Sequence, residues 1–228
     1  MKPLISEEQD TNTLRDLGRA SVQIVHDLKN QLNGLKLYAT FLRKRMEKSD
    51  HPADELETVG KLISGLDRVA GDMTLLVRYS RPVELRRQPG VSILEIMKAM
   101  SEQEQESERS FHLNAGNEAL EGDFDVTALT ESFKAITSGA LKLRPAQAKE
   151  PLEISIGRET DVDSTSAIIE WRGLQIGEGL DPFHSFAGSD GLRMAMAAKI
   201  IEAHGGSANA ENGNRMVVRL PVKAVFSF

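Results

Sequence analysis

His26-Asp27-Leu28-Lys29-Asn30-Gln31-Leu32 lies in the middle of a long amphipathic helical pattern. It sets an imidazole beside a carboxylate, with a carboxamide one helical turn further on. An exposed imidazole is what in-line phosphoryl transfer needs, because the partner must approach Nε2 freely. The carboxylate of Asp27 can hold the ring's other nitrogen protonated, or take its proton, leaving a lone pair on the attacking nitrogen. The amide of Asn30 can position a water for the reverse, hydrolytic reaction. His26 is therefore a candidate phosphoryl acceptor, with Asp27 and Asn30 as its working neighbours.

The elements that must hold this group are legible in the apolar rhythm. Leu14, Leu17, Ser21, Ile24, Leu28, Gln31, Leu35, Tyr38 and Leu42 fall at alternating steps of three and four, the a and d positions of a heptad repeat. Val22, Val25 and Leu32 widen the stripe, as expected of a helix packed against more than one neighbour. With Ser21, Ile24 and Leu28 in the seam, His26 takes the outermost heptad position, f. Ser49-Asp50-His51-Pro52 breaks the helix, since proline cannot continue it and restricts the residue before it. A second seam, Leu56, Val59, Ile63, Leu66, Ala70, Met73 and Val77, stops before Arg81-Pro82. Two long helices joined by a short turn make a hairpin. One hairpin cannot bury a wide stripe on both helices, whereas two can as a four-helix bundle, so a homodimer through residues 10–80 is expected.

After Pro82 the heptad regularity stops. Residues 93–100 read as a helix with Ser92 as N-cap, and residues 125–143 as another, with Val126, Leu129, Phe133, Ile136, Ala140 and Leu143 at helical spacing. Residues 192–203 form a third helix, of small and aliphatic residues, ended by Gly205-Gly206. Short strands are expected at 111–113, 152–156, 167–171 and 215–222, and residues 101–110 read as a charged, solvated helix end. The expected class is α+β: a helical hairpin over residues 1–82, then an α/β sandwich over 83–228.

Lys+Arg 28 against Asp+Glu 34 gives 28 − 34 = −6, a balance that disfavours nucleic acid as a partner. With no cysteine there is neither a disulfide framework nor thiolate chemistry. No apolar run reaches the length of a membrane span, so a cytoplasmic protein is expected. The five histidines lack metal-ligand spacing, and no metal site is expected.

These residues resemble the core of the two-component sensor histidine kinases. His26-Asp27-Leu28-Lys29-Asn30-Gln31-Leu32 is similar to that family's phosphoacceptor motif, and the hairpin to its dimerisation and histidine-phosphotransfer domain. Asp181-Pro182-Phe183-His184-Ser185-Phe186 resembles the family's phenylalanine-containing loop. Gly191-Leu192 and Lys199-Ile200-Ile201-Glu202-Ala203-His204-Gly205-Gly206 resemble its last glycine box and the segment after it, and Arg219-Leu220-Pro221 its closing strand. The resemblance spans nearly the whole chain and implies a kinase-type ATPase sandwich after the hairpin.

The departures fall on the nucleotide site. Gly139 stands where the family places the asparagine that ligands magnesium, and glycine has no oxygen to offer a hard cation. Trp171 stands where an aspartate reads the adenine amino group. Gly173 remains, but Gln175 replaces the second glycine of that box. Gly191 remains of the phosphate-binding glycines, while Arg193 occupies another glycine position. Glu170 cannot stand in for the lost aspartate, because one residue along a strand points to the opposite face. Losing a charged hydrogen bond costs about 1.5–3 kcal/mol, before any loss of metal stabilisation is added.

The resemblance with these departures implies a phosphorelay histidine phosphotransferase that does not use ATP. His26 would exchange a phosphoryl group with aspartates of response-regulator receiver domains, and Lys29 and Asn33 would line the docking face. Magnesium would come with the receiver, and no cofactor belongs to the chain itself. Two alternatives stand beside this reading: a divergent ATP-dependent histidine kinase, and a non-catalytic protein that binds a receiver or a kinase.

Overall fold

The computed structural model describes residues 7–49, 51–104, 111–116, 119–161 and 164–223, with side chains from residue 23 onward apart from residue 104. The chain divides into two compact units, Met1–Pro82 and Val83–Phe228.

The first unit is two helices, α1 (Glu7–Glu47) and α2 (Ala53–Ser80). Pro52 occupies the N-cap of α2, where its missing N–H costs nothing, and Asp54 and Glu55 favour the positive end of the helix. The helices fold back on each other, and Lys36 on α1 forms an ion pair with Asp67 on α2. Ala39, Met46 and Val59 are buried along the join, with Val25, Leu32, Leu56, Ile63, Leu66, Ala70, Met73 and Val77 half-buried. The α2 seam thus meets α1, as the spacing requires. On α1 the covered stripe is Val25, Leu32, Ala39 and Met46. The series Ile24, Leu28, Leu35, Tyr38 and Leu42 is exposed instead. This corrects the heptad reading: α1 carries two adjacent apolar stripes, and a single antiparallel neighbour covers one of them. Leu62, Val69 and Leu76 leave a matching exposed row on α2.

The second unit runs β1 (Gln88–Ser92), α3 (Ile93–Glu104), β2 (Phe111–Ala115), β3 (Glu121–Phe124), α4 (Val126–Lys142), β4 (Leu152–Thr160), β5 (Thr165–Arg172), α5 (Gly188–Ala203), β6 (Ser207–Glu211) and β7 (Arg215–Pro221). Five strands form a sheet in the order β2-β4-β5-β7-β6, parallel only between β2 and β4, while β1 and β3 form a separate antiparallel ribbon. The ribbon and β6 carry too few alternating apolar residues to stand out in the sequence. Alternation sends Leu152, Ile154, Ile156, Ala167, Ile169, Trp171, Met216, Val218 and Leu220 into one core with side chains of all three helices. Each such large aliphatic or aromatic side chain contributes roughly 1.5–3 kcal/mol of burial. Because α5 is buried nearly all round, its residues are small or flexible: Ala195, Ala197, Ala198, Met194 and Met196.

The starts of α3 and α4 are capped by side chains, by Ser92 as expected and by Asp125 where the sequence placed the first residue of the helix. Ser92 Oγ accepts the Glu95 N–H at 3.3 Å. Asp125 caps α4 through Oδ1 to the Ala128 N–H at 3.0 Å, and its Oδ2 accepts the Arg86 N–H at 2.8 Å. His204, at the end of α5, is buried with both ring nitrogens engaged. Nδ1–H donates to the Ile200 carbonyl at 2.8 Å, and Nε2 accepts the Asp125 N–H at 3.0 Å. Burial holds this imidazole below its ordinary pKa, and the nearby Arg87 adds to the effect against the opposing pull of the Ile200 carbonyl and Asp125.

On the sheet's other face lies an ion-pair ladder, Glu159–Arg219–Glu211–Arg215–Glu170–Arg172. Burial pushes the Glu170 carboxyl up, but the hydrogen bond and charge of Arg172, the Ser155 hydroxyl and the charge of Arg215 outweigh it and hold it below its ordinary value.

Candidate functional site

His26 sits on α1 on the side away from both apolar stripes, with 64% of its side chain exposed. Among the described residues its polar contacts are made at Nδ1. The Asn30 carboxamide lies 3.4 Å away and Asp27 Oδ1 3.8 Å away. The first is a long hydrogen bond; the second closes with a small rotamer change or one bridging water. Asp27 is steadied from the preceding turn by Gln23, whose Nε2 donates to Oδ1 at 3.1 Å. With Nδ1 held on this side, Nε2 is left to the outside. Which way the Asn30 amide is turned follows from the imidazole tautomer it serves.

Asn33 is exposed at the next turn of the same face. Lys29 is half-buried and lies on the flank shared with Val25, Leu32 and Lys36, so it edges the His26 face instead of standing on it. The sequence reading missed Leu37 and Phe41, both exposed on the His26 face. Their signal was present: large apolar residues eleven and fifteen positions after His26, outside the seam, on a helix that repeats every 3.6 residues. They extend the histidine's face with apolar surface.

In the second unit, most of the residues that the family resemblance assigns to a nucleotide site are engaged with other parts of the fold. Trp171 is wholly buried, lies 6.3 Å from the Phe133 ring, and donates Nε1–H to Thr137 Oγ1 at 2.9 Å. A buried indole needs an acceptor, and α4 supplies one. Two residues further along α4, Gly139 takes Met194 of α5: a Cβ at 139 would lie 2.2 Å from the Met194 sulfur. The space a side chain at position 139 would occupy is thus filled by a thioether. Gly191 is tight for a similar reason, since a Cβ there would lie 2.6 Å from the Ser185 carbonyl oxygen. The loop's own backbone makes the close approach. Lys142 and Asp190 pair across the ends of α4 and α5.

Gly173 turns the chain out of β5 with φ +74°. The Gln175 N–H donates to the Leu143 carbonyl at 2.7 Å. Arg193 points to solvent between buried Leu192 and Met194. Glu170 faces away from Trp171, into the arginine ladder. Thr137 and Met194 went unread because a partner for an indole or a glycine lies far along the chain. Among the described residues, no group of three or more His, Asp or Glu is placed to hold a metal ion, and no helix is long and apolar enough to cross a membrane.

No family model matches the sequence, and no curated protein does. Solved structures do match in fold. Full-length ShkA in complex with AMPPNP superposes with a TM-score of 0.62 at 16% identity, covering 90% of this chain and 46% of ShkA. Histidine kinase ThkA, in complex with response regulator protein TrrA, gives 0.59 at 20%, covering 95% of this chain and 65% of ThkA. The Acinetobacter baumannii histidine kinase AdeS gives 0.54 at 17%, covering 87% and 98%. The chain spans about half of ShkA and about two thirds of ThkA. A helical hairpin followed by this mixed sandwich is the fold of a histidine kinase core.

Proposed function

We propose that this chain is a histidine phosphotransfer protein, exchanging a phosphoryl group between His26 and aspartates of response-regulator receiver domains without using ATP. The observation that carries the reading is a contrast. The imidazole is exposed and its Nδ1 is attended by a carboxylate and an amide, while Trp171 is wholly buried and Met194 fills the space beside Gly139, the two positions where the family resemblance expects an adenine reader and a metal ligand. A phospho-aspartate is an acyl phosphate. The Nε2 lone pair attacks phosphorus, the P–O bond to the aspartate breaks, and the carboxylate leaves with the electron pair. The Nδ1 proton passes to Asp27 or solvent as the ring becomes neutral. Reversal delivers the group to another receiver. The receiver brings the magnesium, and Asn33, Leu37 and Phe41, edged by Lys29, form its docking face. ThkA, of like fold, is in complex with a response regulator.

The chain works as a homodimer in this reading. The exposed rows on α1 and α2 are continuous apolar surface of the kind a second hairpin covers. One observation favours the alternative of a divergent ATP-dependent kinase: ShkA, of like fold, is in complex with AMPPNP. Labelled ATP and a labelled phospho-receiver, offered in parallel, separate the two. The expected result is acid-labile label mapped to His26 from the receiver, none from ATP, and no label at position 26 in His26→Ala. Label from ATP that is lost in His26→Ala overturns the proposal in favour of the kinase.

A further inference from the structure

The loop between β5 and α5 carries a second imidazole–carboxylate pair. His184 Nδ1 lies 2.7 Å from Asp181 Oδ2, and 60% of the His184 side chain is exposed. That contact is a full hydrogen bond, shorter than the 3.8 Å between His26 and Asp27. The carboxylate is itself fixed. Asp181 Oδ1 accepts the Phe183 N–H at 3.0 Å, and the Asp181 carbonyl accepts the His184 N–H at 3.2 Å. Phe183 is buried and anchors the turn in the core. The ring is therefore held with Nδ1–H toward Asp181 and Nε2 toward solvent. Preorganisation of this kind is what a reacting nitrogen needs, since the entropy of aligning it is lost on folding and not at the encounter.

We propose that His184 is a second phosphoryl-accepting imidazole, with Asp181 as its positioning residue and small or protein-borne acyl phosphates as donors. The choice of donor rests on the reading of His26 given above. Nε2 attacks phosphorus, the bond to the acyl oxygen breaks, the carboxylate leaves with the electrons, and the Nδ1 proton passes to Asp181. The chain supplies its own control. His51 Nδ1 lies 3.0 Å from Glu55 Oε2 and is also exposed. Its carboxylate ends a longer side chain than Asp181 does, and the His51 N–H donates to the Ser49 carbonyl at 2.7 Å, not to the residue that carries the carboxylate.

The test uses the full-length chain with labelled acetyl phosphate and site mapping under alkaline conditions. The expected result is label in His26→Ala mapped to His184, absent from His26→Ala/His184→Gln. Asp181→Asn should slow labelling at least tenfold and shift its pH–rate profile, with unchanged unfolding. An unlabelled His26→Ala, or equal label on His51 and His184, overturns the inference. Neither outcome touches the His26 reading, which the phospho-receiver experiment decides; conversely, label on His184 alone in both experiments sinks the His26 reading and leaves this one standing.

Discussion

Placing at position 139 the asparagine that the family resemblance expects should destabilise the second unit without creating a nucleotide site. In Gly139→Asn, the new Cβ lies 2.2 Å from Met194 Sδ, 3.0 Å from Cγ and 3.3 Å from Cε, three atoms of one side chain. Met194 as a whole must leave a place where it is 4% exposed. Overpacking of this kind costs about 1–3 kcal/mol. A carboxamide buried without partners adds roughly 1–3 kcal/mol. A net loss of about 2–6 kcal/mol is expected, which at this chain length lowers Tm by about 4–24 °C. The single tryptophan, Trp171, lies in this unit and reports its unfolding by fluorescence. Shortening the obstructing side chain should recover part of the loss, so Gly139→Asn/Met194→Ala should show a favourable coupling of about 1–2 kcal/mol. Under the proposed function neither variant should bind Mg-ATP in a calorimeter, because Trp171 stays buried at the position the resemblance gives to the adenine reader. Two results would refute the occlusion argument: Gly139→Asn as stable as the parent within about 0.5 kcal/mol, or Gly139→Asn alone binding Mg-ATP.

Two further outcomes follow from the geometry. His204 is held neutral below its ordinary pKa of 6.5, so the unfolded state takes up a proton first as pH falls, and stability should decline from about pH 6.5 downward; Asp125 and Glu170, also lowered, add a steeper loss below their ordinary values of 3.8 and 4.5. Urea denaturation at pH 7.5 and 5.5 should show the first step in the parent and a flattened response in His204→Gln, and an equal loss of stability in the two proteins would contradict the assignment to His204. Leu35→Lys/Leu42→Lys, placed on the exposed α1 row, should weaken the homodimer at least a hundredfold, since four leucines across the pair each lose about 1 kcal/mol of burial; light scattering that finds the parent monomeric at micromolar concentration would remove the dimer from the proposal.

Much of the fold was legible because its signals are local. The three-four rhythm, the Pro52 break, the Ser92 cap and the Gly205-Gly206 stop each act within a turn or two of themselves. β1, β3 and β6 escaped because their residues are small or polar, and only strand pairing makes strands of them. The outward placement of His26 was legible for the same local reason, since a helix position follows from its neighbours' spacing.

What the amino-acid sequence determined by itself was therefore the order of the helices and of four of the strands, and the exposed histidine with its carboxylate and amide. What only the tertiary structure decided was which surfaces are covered. Periodicity shows that α1 is apolar on two adjacent stripes but not that Val25, Leu32, Ala39 and Met46 are the ones α2 hides. A glycine at 139 reads as an empty place until Met194 is found in it, and Trp171 becomes core when Thr137 accepts its N–H. Burial and hydrogen-bond satisfaction are properties of pairs, and these pairs join residues tens of positions apart.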